Sequence, residues 1–173
     1  MGEPALLHLK VRHYEVDSYG HVNHANYAHY FETARIEALE AVGLSLAEMQ
    51  RQGYLIFAAD LSIKYRSPAG VGETLEIITY IRDIRGARSL WVQEIREAGS
   101  RRVVATAEVT GAFMTETGRP VRAPQTFIEK LSALCVADAA APGASHEPEI
   151  GGWRRWCLCR GRGLSGALRR MVA

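Results

Sequence analysis

Asp17 stands six residues ahead of Asn23, where a run of apolar side chains at helical spacing begins. An aspartate is ionised at neutral pH. A helix start presents unpaired N–H groups and a partial positive charge. Gly20, between the two, permits a tight turn that would bring the carboxylate back toward those donors. A carboxylate facing an oxyanion site can attack a polarised carbonyl, or activate water to do so. A thioester is the acyl group for which so few parts suffice, because a thiolate leaves without a dedicated general acid. One oxyanion donor contributes ~2.7–4 kcal/mol to such a transition state. On spacing alone, however, a turn acid without chemistry is the stronger reading of Asp17.

The neighbouring polar residues carry open alternatives. Asn23 either orients Asp17 or the acyl carbonyl, or it caps the helix, a position that favours Asn. His24 would form a pocket wall or face solvent in the first helical turn. His21 and His24 lie three apart, but no carboxylate is placed to complete a metal set, so neither a metal nor a cofactor is expected. Tyr27 and Tyr30 lie on the apolar stripe as core or interface residues. Asp60 interrupts the apolar run LIFAADLSI, where a charge is out of place. It is either an edge ion pair or a polar group offered to a partner subunit's site. Arg35 reads as a helix-anchoring ion-pair residue. Gly20, Tyr27, Asp60, Arg85 and Arg88 are the candidate substrate-binding positions.

These residues need a scaffold. A strand is predicted over Leu6–His13. A helix follows over Asn23–Val42, with Tyr27, Tyr30, Phe31, Ala34, Ala38 and Val42 at steps of three and four. Gly43 falls where a left-handed helix stop belongs. A second helical turn covers Leu46–Gln52. Period-two alternation marks strands at 61–66 and 75–81, with further strands over Leu90–Glu97 and Val103–Met114. Pro124 opens a short helix ending near Leu134. Mostly short turns imply antiparallel neighbours, and the long helix is the one large cover for the sheet's apolar face. The fold class is α+β: a curved antiparallel sheet wrapped around one helix.

Composition bounds the rest. The 173 residues are 47% hydrophobic and 23% charged, with a net charge of +2. Residues 1–136 carry 15 Lys and Arg against 16 Asp and Glu. A near-neutral body argues against nucleic-acid binding, which wants a basic face. Residues 137–173 read as a linker followed by an Arg-rich, disordered tail, with six arginines against Asp138, Glu147 and Glu149. Within that tail, Cys157 and Cys159 lack a second ligand pair for zinc. The odd cysteine count, no apolar leader at the N-terminus and no run long enough for a transmembrane segment predict a cytoplasmic protein.

From Leu7 to Leu134 the chain resembles the 4-hydroxybenzoyl-CoA thioesterase family of hotdog proteins. The shared pattern is Tyr14, Asp17, Gly20, Val22-Asn23, Asn26-Tyr27, Phe31-Glu32, Ala34-Arg35 and Gly43. The Tyr65-Arg66-Ser67-Pro68 turn and Gly72-Glu73 extend it. The Tyr-x-x-Asp-x-x-Gly-x-Val-Asn loop is most similar to the plant and cyanobacterial acyl thioesterase branch. The resemblance implies a hotdog domain over 1–136. It implies a homodimer or homotetramer with sites at the subunit interface, and a place in lipid metabolism. It puts Asp17 at the catalytic carboxylate and the N–H at or near His24 at the thioester carbonyl. Phosphates of an acyl-CoA would fall to basic residues such as Arg85 and Arg88, since guanidinium suits phosphate. Three alternatives stay open: an acyl-carrier-protein thioester as substrate, a hotdog hydratase or dehydratase, and a non-catalytic acyl-binding dimer. The hydratase wants a His-x-x-Gly-x-Pro-like helix start, which the sequence lacks.

Overall fold

The computed structural model describes residues 2–136, so the expectations for the 137–173 tail fall outside the described residues. Five strands and three helices follow in the order β1 (Ala5–Lys10), α1 (His24–Ala41), α2 (Leu46–Arg51), β2 (Tyr54–Tyr65), β3 (Thr74–Arg85), β4 (Arg88–Glu97), β5 (Val103–Thr115) and α3 (Gln125–Leu131). The strands form one antiparallel sheet in the order β1-β3-β4-β5-β2. Phe31, Ala34 and Ala38 of α1 are buried among the sheet's inward residues, including Ile77, Ile95, Ala105 and Val109. This is the predicted hotdog architecture. Among the described residues no helix is long and apolar enough to cross a membrane.

The ends of α1 are set by local chemistry. Asn23 is its N-cap, with Oδ1 accepting from Ala25 N at 3.0 Å. At the other end Gly43 has φ +70°. Gly43 N donates to Glu40 O and Leu44 N to Leu39 O, each at 2.9 Å, which closes the helix in the left-handed manner that glycine favours.

Two sequence expectations need correction. His13 belongs not to the first strand but to a 3-10 turn, His13–Glu15. Short connections imply neighbouring strands, yet β2 and β3 do not pair; β4 and β5 lie between them. The chain after β2 therefore crosses about 14 Å, three strand spacings. It crosses at the start of α1. Pro68 and Ala69 are buried there, and Val22 N donates to Ala69 O at 2.8 Å. The crossing loop thus pins the segment that carries Asp17.

β2 is also longer than its alternating part predicts. A bulge between Ala58 and Asp60 breaks the period in mid-strand, so the LIFAAD stretch does not read as alternating. Among the described residues β2 pairs with β5 alone and forms an edge. Phe57, Leu61 and Tyr65 on it are 53%, 40% and 40% exposed.

Candidate active site

Asp17 opens a tight hairpin loop. Gly20 N donates to Asp17 O at 2.9 Å, Asp17 N donates to His21 O at 2.8 Å, and Val16 bridges Val22. Gly20 has φ +79°, a left-handed conformation that glycine adopts without strain. The half-buried Asp17 carboxylate accepts from Tyr19 N through Oδ1 at 2.9 Å. His21 stacks on Tyr19 at 6.5 Å between ring centroids and bridges Gly70 of the crossing loop.

The helix start lies next along the chain. Asn23 has both its Oδ1 and its O engaged as caps, on Ala25 N and Asn26 N. Of its two predicted roles, the structure displays the cap. His24 is exposed, and among the described residues its backbone N–H has no protein partner. Its carbonyl accepts from the Tyr65 hydroxyl at 3.2 Å, tying the end of β2 to the start of α1. Tyr27 is buried, edge-on to Tyr65 at 5.4 Å and to Tyr30 at 6.1 Å. Burial pushes the Tyr27 hydroxyl up to about 12. It is a neutral core residue beneath the site.

Sequence reasoning missed the clamp that joins the hairpin to the helix. Asn26 Nδ2 donates to Glu15 O at 2.7 Å, and Asn23 N donates to the same oxygen at 2.8 Å. Glu15 itself is buried, and its carboxylate accepts from Arg12 N at 2.6 Å. Burial, with Glu15 alongside, pushes the Tyr30 hydroxyl above the ordinary tyrosine range. The signal was present: an Asn in the first helical turn has a side chain able to reach back.

Among the described residues Arg35 does not make the expected ion pair. Its guanidinium donates to the neutral amide of Gln93, at 2.7 Å to Oε1. Gln93 in turn donates to Phe31 O and Thr79 Oγ1, both at 2.9 Å. Burial pulls Arg35 below its ordinary value. A neutral, fully hydrogen-bonded partner suits the interior, because a buried carboxylate would carry its own desolvation cost.

The remaining candidates lie elsewhere in the protomer. Asp60 is exposed on the edge strand, opposite Thr110. Arg85 and Arg88 face each other across the β3–β4 hairpin, and Arg85 pairs with Asp83 at 2.5 Å. The other end of β3, at Thr74, adjoins Lys10 and the Asp17 side of the molecule. About 35 Å of strand separates the ends of β3, so one protomer does not gather these arginines around its own Asp17.

A five-stranded curved antiparallel sheet around one long helix is the hotdog architecture. Residues 11–131 match the thioesterase-like superfamily, and the chain belongs to that family. It is 31% identical to the chloroplastic acyl-acyl carrier protein thioesterase ATL3 of Arabidopsis thaliana, over 76% of this chain and 69% of that protein. It is 30% identical to the acyl-CoA thioesterase YbgC of Helicobacter pylori, over 74% of this chain and 100% of that protein. A crystal structure of a 1,4-dihydroxy-2-naphthoyl-CoA thioesterase from Synechocystis has the same fold, with a TM-score of 0.71 at 20% identity over 76% of this chain and 97% of that one.

Proposed function

We propose that this protein is a cytoplasmic acyl-CoA thioesterase in which Asp17 attacks the acyl carbon, or activates the water that does. The carbonyl oxygen sits at the start of α1, where the unpaired His24 N–H stabilises the developing oxyanion. The observation that carries the reading is the junction of an Asp17 hairpin, clamped through Glu15 O, with that free N–H.

The functional unit is a dimer formed through β2. A twelve-residue edge strand with three exposed large apolar side chains is a pairing surface. Antiparallel pairing would lay the Tyr65 end of one β2 against the Tyr54 end of the other. Tyr65 holds the His24 end of α1. Phe57, near the opposite end, stands across Ala112 from Arg88. Each protomer's β3–β4 hairpin would then approach the helix start of its partner. Arg85 and Arg88 could there meet the CoA phosphates that they cannot meet within their own protomer.

The test is thiol release from a panel of acyl-CoA and acyl-carrier-protein thioesters, with wild type and Asp17→Asn. Turnover of acyl-CoA that falls about a thousandfold in Asp17→Asn is expected. Turnover confined to the carrier-protein thioesters would move the substrate to that carrier. No turnover on either would refute the enzyme.

A further inference from the structure

The crossing loop that pins the Asp17 segment is itself gripped by a side chain from the connection between β4 and β5. Arg102 Nη1 donates to Ser67 Oγ at 2.8 Å and to Pro68 O, and its Nη2 donates to Glu73 Oε2 at 3.0 Å. The guanidinium thereby holds the loop on both sides of Ala69 and Gly70. Those two residues are the ones that meet the hairpin. Val22 N donates to Ala69 O at 2.8 Å, and Gly70 bridges His21. His21 O in turn accepts from Asp17 N at 2.8 Å, and Val22 bridges Val16. A continuous run of hydrogen bonds leads from Arg102 to the Asp17 backbone.

Arginine suits this task because its planar fork aims several N–H donors in fixed directions, where lysine offers a point charge. The backbone that delivers it is strained. Arg101 has φ +61° and is the one non-glycine residue with a positive φ among the described residues, a region where an L side chain crowds the next carbonyl. Such strain persists where surrounding bonds over-determine it. Here Arg101 N donates to Glu97 O and Glu97 N to Arg102 O, each at 2.9 Å, and the Arg101 guanidinium pairs with Glu76. Beneath the loop, burial raises the Tyr27 hydroxyl while the Ala69 backbone and the Arg102 charge lower it, so the guanidinium is felt at α1 as well as at the hairpin.

We infer that Arg102 is a positioning residue for the reaction, holding the crossing loop where it keeps the Asp17 hairpin against the start of α1. It acts on Asp17 only through the loop. The kinetic consequence rests on the thioesterase reading; the hold on the hairpin does not.

Two measurements test it together. Arg102→Met keeps the apolar stem and removes the fork. Amide hydrogen exchange at Val22 should quicken at least tenfold, with Ile77 and Ile95 in the sheet unchanged. In the same variant kcat for acyl-CoA should fall by about ten- to a hundredfold, the scale of a slightly misplaced reacting group, with KM within about twofold. Arg102→Lys, which keeps the charge but not the fork, should recover part of both losses. Arg101→Gly loses the Glu76 pair but accepts the positive φ. It should shift the melting temperature and leave Val22 exchange and kcat at wild-type values. An Arg101→Gly enzyme as slow as Arg102→Met would reduce Arg102 to a part of the turn's stability and overturn the inference. Unchanged Val22 exchange in Arg102→Met overturns it as well, as does faster exchange with kcat unaltered. Should Arg102→Met fail to fold, Arg102→Lys decides on the same two readouts, with at least a threefold change expected in each. Should the wild type hydrolyse no thioester, exchange alone decides, and the hold on the hairpin would stand while the enzymatic reading fell.

Discussion

The two ends of α1 are built on opposite principles. At His24, position is fixed by directional bonds: the Asn23 cap, the double contact of Asn23 and Asn26 with Glu15 O, and the crossing loop held through Val22. At Leu39, a groove is lined mostly by apolar side chains, with Ala58 and Gly111 on facing strands. The first arrangement suits a reaction that tolerates little displacement of its groups. The second suits recognition by area, which is nearly indifferent to orientation. His24 and Leu39 are separated by about 22 Å of helix.

Monomerising the protein would break this arrangement most severely. If the proposed β2 pairing holds, lysine at Phe57 and Leu61 together should leave only a monomer in light scattering, and acyl-CoA turnover should fall with it by a hundredfold or so, as roughly 3 kcal/mol of shared binding is lost. A wild type that is already monomeric would remove the two-protomer site. Weaker, and confined to the His24 end, is Asn26→Ala. It deletes one clamp bond while Asn23 N keeps the other, so a loss of about tenfold in kcat is expected, with KM steady, equivalent to ~1.4 kcal/mol. A change in KM alone would show that the clamp serves binding rather than the reacting geometry.

Smaller still are effects on stability. Asn23→Ala removes the cap and should cost ~1 kcal/mol in denaturant unfolding; an unchanged midpoint would mean that the crossing loop alone holds this end. The β4–β5 turn adjoins the crossing loop, where Arg102 pairs with Glu73 at 3.0 Å. Glu97 there accepts from the Ser100 hydroxyl, Ser100 N and Gly99 N, and these bonds hold its carboxyl down to about 2. Its ordinary value is 4.5, so the stabilisation is complete above that pH and disappears as pH falls toward about 2. Glu97→Gln should melt slightly below wild type at pH 7, with the gap closing through that window. A gap independent of pH would exclude the carboxylate as its cause.

What could be read from sequence divides along the same line. The Asp17 turn, the Gly20 conformation, the Asn23 cap and the Gly43 stop each depend on residues within a few positions, where one side chain or one φ angle decides the outcome. The Asn26–Glu15 clamp spans eleven residues and the Arg35–Gln93 bond fifty-eight. For the first the sequence shows only that Asn26 is able to reach back, not to which carbonyl; for the second no local pattern exists. The groove was illegible for a related reason. Gly111 and Ala58 matter only because β5 and β2 place them opposite each other, and the bulge after Ala58 hides the alternation that would have shown which way they face. Asp60 stands out as a charge inside an apolar run, and Arg85 and Arg88 through the family resemblance at the Gly86 connection; neither signal says where in the folded molecule the side chain works.

The most direct test of the chemistry at the start of α1 sets Asp17→Asn beside wild type on two substrates, dodecanoyl-CoA and butanoyl-CoA. Asp17→Asn should depress kcat on both by the same factor, about a thousandfold, and leave their ratio untouched. An Asp17→Asn enzyme that keeps most of its activity, or loses it on one chain length only, would contradict the account.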